Sequence, residues 1–133
     1  METFRLTGLG VAAVTPFTPD KEIDFEALGR VLDHIMAGHA DYIVVLGTTG
    51  ETPTLSPSEK KAVREFAVAR TAGRVPLVLG MGGNCTRSLV EEIRATDLSG
   101  FSAILSVTPY YNKPSQEGIY LHFREVAMAS PLP

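Results

Sequence analysis

Four short apolar runs, residues 10–14, 42–46, 75–79 and 103–107, alternate with segments whose apolar positions recur every third or fourth residue. The runs are rich in β-branched residues and none alternates strictly with polar ones, the pattern of strands buried on both faces. The first helical segment begins at Asp24, places Phe25, Leu28, Leu32, Ile35 and Met36 on one side, and stops near Gly38. The second opens on Ser56-Pro57-Ser58-Glu59, which joins an N-cap serine, a proline at the first helical position and a capping-box glutamate. It runs through Val63, Phe66 and Ala67 to a terminating Gly73. Thr86 and Ser115 are the expected N-caps of a third and a fourth helix, with Gly100 closing the third.

Four strand–helix units in succession predict an α/β fold with a parallel sheet. Right-handed crossovers then bring every loop that follows a strand to the same edge of that sheet. Such a sheet is either open and doubly wound or closed into a barrel. The first such loop is Thr15-Pro16-Phe17, which lacks the glycine fingerprint of a dinucleotide-binding sheet. A (β/α)8 barrel takes about 250 residues, so the expectation is the first four βα units of a TIM barrel. Residues 1–133 would be the N-terminal half of a single barrel domain, stopping before strand 5. The stretch from Ala129 to Pro133 reads as the approach to another strand.

Composition narrows the function. With 44% hydrophobic and 20% charged residues the chain is an ordinary globular sequence. A net charge of −3 without a basic block gives no reason to expect nucleic acid or an anionic membrane as a partner. The apolar runs are far too short to span a bilayer. Met1-Glu2-Thr3-Phe4-Arg5 carries an acid and no long apolar stretch follows, which argues against a signal peptide. The single cysteine, Cys85, has no internal partner for a disulfide, and the expected location is the cytoplasm.

Three clusters follow strands and so share the loop edge, where parallel α/β folds hold their sites. Gly47-Thr48-Thr49-Gly50-Glu51 places two hydroxyls between glycines, so side-chain and main-chain donors can approach a small carboxylate without a basic residue. The plainer reading is a tight turn whose threonines satisfy nearby backbone groups. Gly80-Met81-Gly82-Gly83-Asn84 lacks the spacing of a phosphate-binding loop, and its glycines are expected to admit close approach of neighbouring chain. In Thr108-Pro109-Tyr110-Tyr111-Asn112-Lys113-Pro114 the adjacent tyrosines point in opposite directions from extended backbone. One phenol can then serve a site as a proton carrier while the other packs elsewhere. His34, His39 and His122 lack metal-ligand spacing and are expected on solvated or satisfied faces. Cys85 lies at a helix start with no His or acid beside it in sequence. Lys60 and Lys61 read as helix surface, and Lys113 as a surface residue of its loop.

Gly47 to Glu51, the run from Val107 to Gly118 and the opening Ala13-Val14-Thr15-Pro16-Phe17 together resemble the dihydrodipicolinate synthase family of pyruvate-dependent class I aldolases. The resemblance covers the whole chain but only about the first half of the family's barrel. Sialic acid lyases and ketodeoxygluconate aldolases share the first cluster loosely and as a rule lack the Tyr-Tyr-Asn-Lys-Pro-Ser-Gln-Glu-Gly run, and they stand as the alternative. The family condenses pyruvate with aspartate semialdehyde on the route to lysine and diaminopimelate, through a Schiff base and without a cofactor or metal. Carried over by motif, Thr49 would hold the pyruvate carboxylate, and Thr48 and Tyr111 would form a proton relay. Tyr111 would reach a neighbouring subunit's site. Tyr110 and Asn84 would lie at the tight-dimer interface and inhibitor site of a homotetramer. The imine-forming lysine, a second tyrosine and a substrate-binding arginine belong to the fifth and sixth strands, so this chain is expected to form no imine. Ser88 and Lys60 stand where lysine-inhibited members carry an acid and a histidine, which implies weak lysine inhibition or none. A third possibility is a non-catalytic half-barrel that only self-associates.

Overall fold

The computed structural model describes residues 6–133, so Met1 to Arg5 and the leader reading based on them lie outside the described residues. Strands β1 (Gly10–Ala12), β2 (Tyr42–Val45), β3 (Leu77–Gly80) and β4 (Ala103–Leu105) alternate with helices α1 (Phe25–Ala37), α2 (Pro57–Thr71), α3 (Thr86–Ala95) and α4 (Gln116–Ala129). All three strand pairs are parallel and the sheet order follows the chain, β1-β2-β3-β4. Two 3-10 turns, Thr48–Gly50 and Thr52–Thr54, fill the connection from β2 to α2.

Both faces of the sheet are apolar, as the unbroken strand runs require. Ile43, Val45, Leu77 and Leu79 pack with Leu28, Leu32, Val63, Ala67, Leu89, Ile93 and Val126 of the helices in one core. Val44, Val78 and Ala103 point the other way and form a second cluster with Tyr42 packed on it. These three are in register across β2, β3 and β4, the row a barrel interior is made from. Beyond them Val14, Leu105 and Val107 lie exposed near the ends of β1 and β4.

The expected boundaries shift for local reasons. Pro76 has no N–H to donate, so the third ladder begins at Leu77 and runs on to Gly80. The second strand ends at Val45 because Leu46 turns into the left-handed region at φ 57°. Asp24 and Ser56 cap α1 and α2 as expected, Ser56 with the full reciprocal capping box. Ser115 caps α4. In α3, however, the N-cap is Cys85, which makes no side-chain cap. Thr86 is the first helical residue, and its hydroxyl lies 2.8 Å from His122 Nδ1. Gly100 does not close α3, which ends at Ala95; at φ 87° it shapes the turn into β4. Past α4, the Pro133 carbonyl accepts a 2.9 Å hydrogen bond from Ile104 N–H, so the closing segment lies along the outer edge of β4.

The helices are also tied to one another. Arg70 of α2 grips Asp33 of α1 with a bidentate pair, Nε donating to Oδ1 at 3.1 Å and the second nitrogen to Oδ2. That hydrogen bond holds the Asp33 carboxyl below the usual carboxylate range. Phe25 and Phe66 also meet between these helices, their rings tilted by 50° with centroids 5.2 Å apart. Among the described residues no helix is long and apolar enough to cross a membrane.

His122 departs from the solvated or satisfied setting expected for it. It is 3% exposed between α3 and α4, and Nε2 has no hydrogen-bond partner among the described residues. Burial pushes its imidazole below the ordinary histidine value. The unfolded chain therefore binds the proton more readily than the folded one. Stability is complete above the ordinary histidine pKa of about 6.5 and falls as the pH drops from there towards the lowered folded value. Urea unfolding at pH 7.5 and pH 5.5 should show this loss, and a His122→Gln variant should show less of it.

Candidate functional site

The loops after β2, β3 and β4 enclose a cavity of about 390 Å³ at the carboxyl edge of the sheet, lined by Gly47, Thr48, Gly80, Met81, Gly82 and Tyr110 among others. The first of these loops is built on an unusual backbone. Leu46 is buried, and its left-handed conformation costs a residue with a Cβ about 1–2 kcal/mol. This turn swings the chain off the strand and into the short 3-10 turn, where Gly50 N–H reaches Gly47 O at 3.0 Å and Glu51 N–H reaches Thr48 O at 3.0 Å.

At the start of that turn the N–H groups of Thr48 and Thr49 have no acceptor among the described residues, as helix starts leave their first donors unpaired. Their two hydroxyls are unpartnered as well. Four unpartnered donors thus lie on two adjacent exposed residues, with no positive charge in the loop itself. Of the two, Thr48 lines the cavity, and Thr49 is exposed beside it.

Three residues matter that periodicity did not single out. Thr15, almost wholly buried, donates its hydroxyl to Gly50 O at 2.8 Å and anchors the turn from below. Thr52 donates to Leu46 O at 2.5 Å and approaches Gly47 O at 3.0 Å. Lys60, read as helix surface, is half-buried and lines the cavity because the first turns of α2 follow directly on the 3-10 turns. Thr52 lies six and five residues after the two carbonyls it bonds, a reach set by the folded turn, so no sequence spacing marked it.

Gly80 and Gly82 have the steric roles expected for this glycine cluster, whereas Gly83 faces open space. A Cβ on Gly80 would lie 2.0 Å from the Leu46 carbonyl oxygen, and one on Gly82 would lie 2.7 Å from Val107 Cγ1. Asn84 then joins this loop to the third: its Oδ1 accepts the Tyr110 N–H at 2.6 Å. The tyrosines diverge. Tyr110 lines the cavity, whereas Tyr111, at φ 70°, is 93% exposed and leaves this chain's own cavity. Cys85 is exposed, and the Ser88 hydroxyl, donating to Sγ at 3.3 Å, draws its thiol below the usual range. Lys113 is exposed. Among the described residues no group of three or more His, Cys, Asp or Glu could hold a metal ion.

Sequential parallel strands, helices on one face and a cavity at the carboxyl edge define the first four units of a (β/α)8 barrel. The chain belongs to the dihydrodipicolinate synthetase family, whose model matches residues 5–133. It is 54% identical over its full length to a 4-hydroxy-tetrahydrodipicolinate synthase of Parabacteroides distasonis, covering 45% of that protein. It is 56% identical to the enzyme of that name from Flavobacterium psychrophilum over 126 residues, 95% of this chain and 43% of the relative. The chloride-inhibited dihydrodipicolinate synthase of Acinetobacter baumannii, solved in complex with pyruvate, superposes with a TM-score of 0.91 at 39% identity, over 97% of this chain and 44% of that one. The chain thus spans less than half the length of these relatives.

Gly80→Ala should destabilise the chain by about 2 kcal/mol or more, since the new methyl meets backbone that cannot step aside. Gly83→Ala, where a Cβ meets nothing within 4 Å, is the control. It should stay within about 0.5 kcal/mol of the parent in urea unfolding.

Proposed function

We propose that residues 1–133 supply the carboxylate-binding half of a 4-hydroxy-tetrahydrodipicolinate synthase, a lyase that joins pyruvate to aspartate semialdehyde in lysine and diaminopimelate biosynthesis. The observation that carries this reading is the set of unpartnered donors at Thr48 and Thr49 in a turn held from several sides. Its shape and charge suit the carboxylate of a 2-oxo acid. The names of the relatives and the pyruvate-bound neighbour support the same ligand.

In this reading Thr49 holds the pyruvate carboxylate, and Thr48 passes protons to and from Tyr111. Imine formation forms a C–N bond at the pyruvate carbonyl carbon and expels its oxygen as water, so protons must move from nitrogen to the departing hydroxyl. Tyr111 suits service to a second subunit, because its phenol projects away from this chain's own cavity. Tyr110 and Asn84 belong to the interface that brings the two subunits together, and the assembly is a homotetramer working in the cytoplasm. Residues 1–133 are then the N-terminal half of one barrel domain.

The four lysines of the chain are Lys21, Lys60, Lys61 and Lys113, and none lies on a strand. The imine-forming lysine is assigned outside this set. Incubation of the 133-residue chain with pyruvate and borohydride, followed by mass spectrometry, should leave it unmodified. A stable pyruvyl adduct, above all on the cavity-lining Lys60, would overturn that assignment. The full-length enzyme should trap pyruvate under the same conditions. It should also keep its rate in micromolar lysine, since Ser88 offers no charge to pair with the effector's ammonium group; inhibition at that concentration would contradict the reading.

A further inference from the structure

We propose that Thr52 is the positioning residue of the carboxylate cradle, an inference that rests on the reading of Thr48 and Thr49 given above. Thr52 does not need to touch the ligand to do this. Its hydroxyl carries one proton, directed at the Leu46 carbonyl at 2.5 Å and shared with the Gly47 carbonyl at 3.0 Å. Those two carbonyls bracket the point where the chain leaves β2 and immediately precede the cradle donors.

The arrangement is needed because Leu46 is held in a left-handed conformation that a leucine does not choose unaided. From one side its carbonyl oxygen presses on Gly80, where a Cβ would lie only 2.0 Å away. From the other side Thr52 supplies the donor that satisfies it. Thr15 fixes the far end of the same turn through Gly50 O at 2.8 Å. Thr52 is thus the member of this set that grips the near end. With its hydroxyl removed, the Leu46 and Gly47 carbonyls lose their side-chain donor, which releases the Gly47–Thr48 peptide plane that aims the Thr48 N–H at the start of the cradle.

The test uses two variants of this chain and two readouts. Thr52→Val keeps the shape and removes the hydroxyl; Thr52→Ser keeps the hydroxyl and removes a methyl. Amide hydrogen exchange at Gly50 and Glu51, whose N–H groups close the turn, should accelerate at least tenfold in Thr52→Val. In Thr52→Ser it should remain within about twofold of the parent. Calorimetric titration with pyruvate should show the same ordering, affinity falling about tenfold in Thr52→Val and recovering in Thr52→Ser. Unchanged exchange and unchanged affinity in Thr52→Val would overturn the proposal. An equal loss of affinity in both variants would do so too, since that pattern marks packing and not the hydroxyl. If exchange responds as stated while the parent chain binds no pyruvate, the positioning role stands and the carboxylate reading of the cradle fails.

Discussion

The backbone of β2 meets the backbone of β3 where the Leu46 carbonyl oxygen lies against Gly80, and the site depends on that approach. Any side chain at position 80 would occupy the space the carbonyl needs. With hydrogen there, Leu46 can take its left-handed turn, the strand can end at Val45, and the next residues can curl into a short 3-10 turn. The free N–H groups of Thr48 and Thr49 follow from that curl. A glycine in one strand thereby sets the donor geometry at the end of its neighbour. The parallel register that aligns Val44 with Val78 and Val78 with Ala103 keeps the two strand ends level.

Around this contact the chain separates support from chemistry. The helices and the outward strand faces form one core, and the Arg70–Asp33 pair and the Phe25–Phe66 contact lock α1 to α2 on the outside. The loops at the carboxyl edge then tie to one another by single, directed bonds, Thr15 to Gly50 and Tyr110 to Asn84, while Thr52 to Leu46 braces the β2–α2 loop from within. The tyrosine pair divides between inside and outside. Tyr110 lines the cavity rim and is still half exposed, and Tyr111 is presented to whatever approaches the chain.

Much of this was legible in the sequence, because the signals are local. The strand runs, the Ser56 capping box and the Asp24 and Ser115 caps need only neighbouring residues to be read. Tyr110 and Tyr111 part because Tyr111 turns to φ 70°, not because the backbone is extended as expected. The close-approach role of Gly80 and Gly82 was legible in kind, though not which neighbour each meets. What stayed hidden depends on contacts between distant segments. Thr86 reads as a cap by residue type, yet its hydroxyl bonds to His122, 36 positions away, so the cap falls to Cys85. His122 reads as a polar helix residue, yet the α3–α4 packing buries it. Lys60 sits on a helix whose periodicity says surface, and only the folded loops reveal that its end of α2 borders the cavity.

Thr48 and Thr49 are proposed to form a carboxylate cradle within this chain. Titrating the isotope-labelled chain with pyruvate and following its backbone amide resonances tests it most directly. The predicted result is a saturable shift centred on the Thr48 and Thr49 amides, weakened when Thr49 is replaced by valine. No saturable shift there, or a shift centred on Lys60 or elsewhere with Thr48 and Thr49 unmoved, would contradict it.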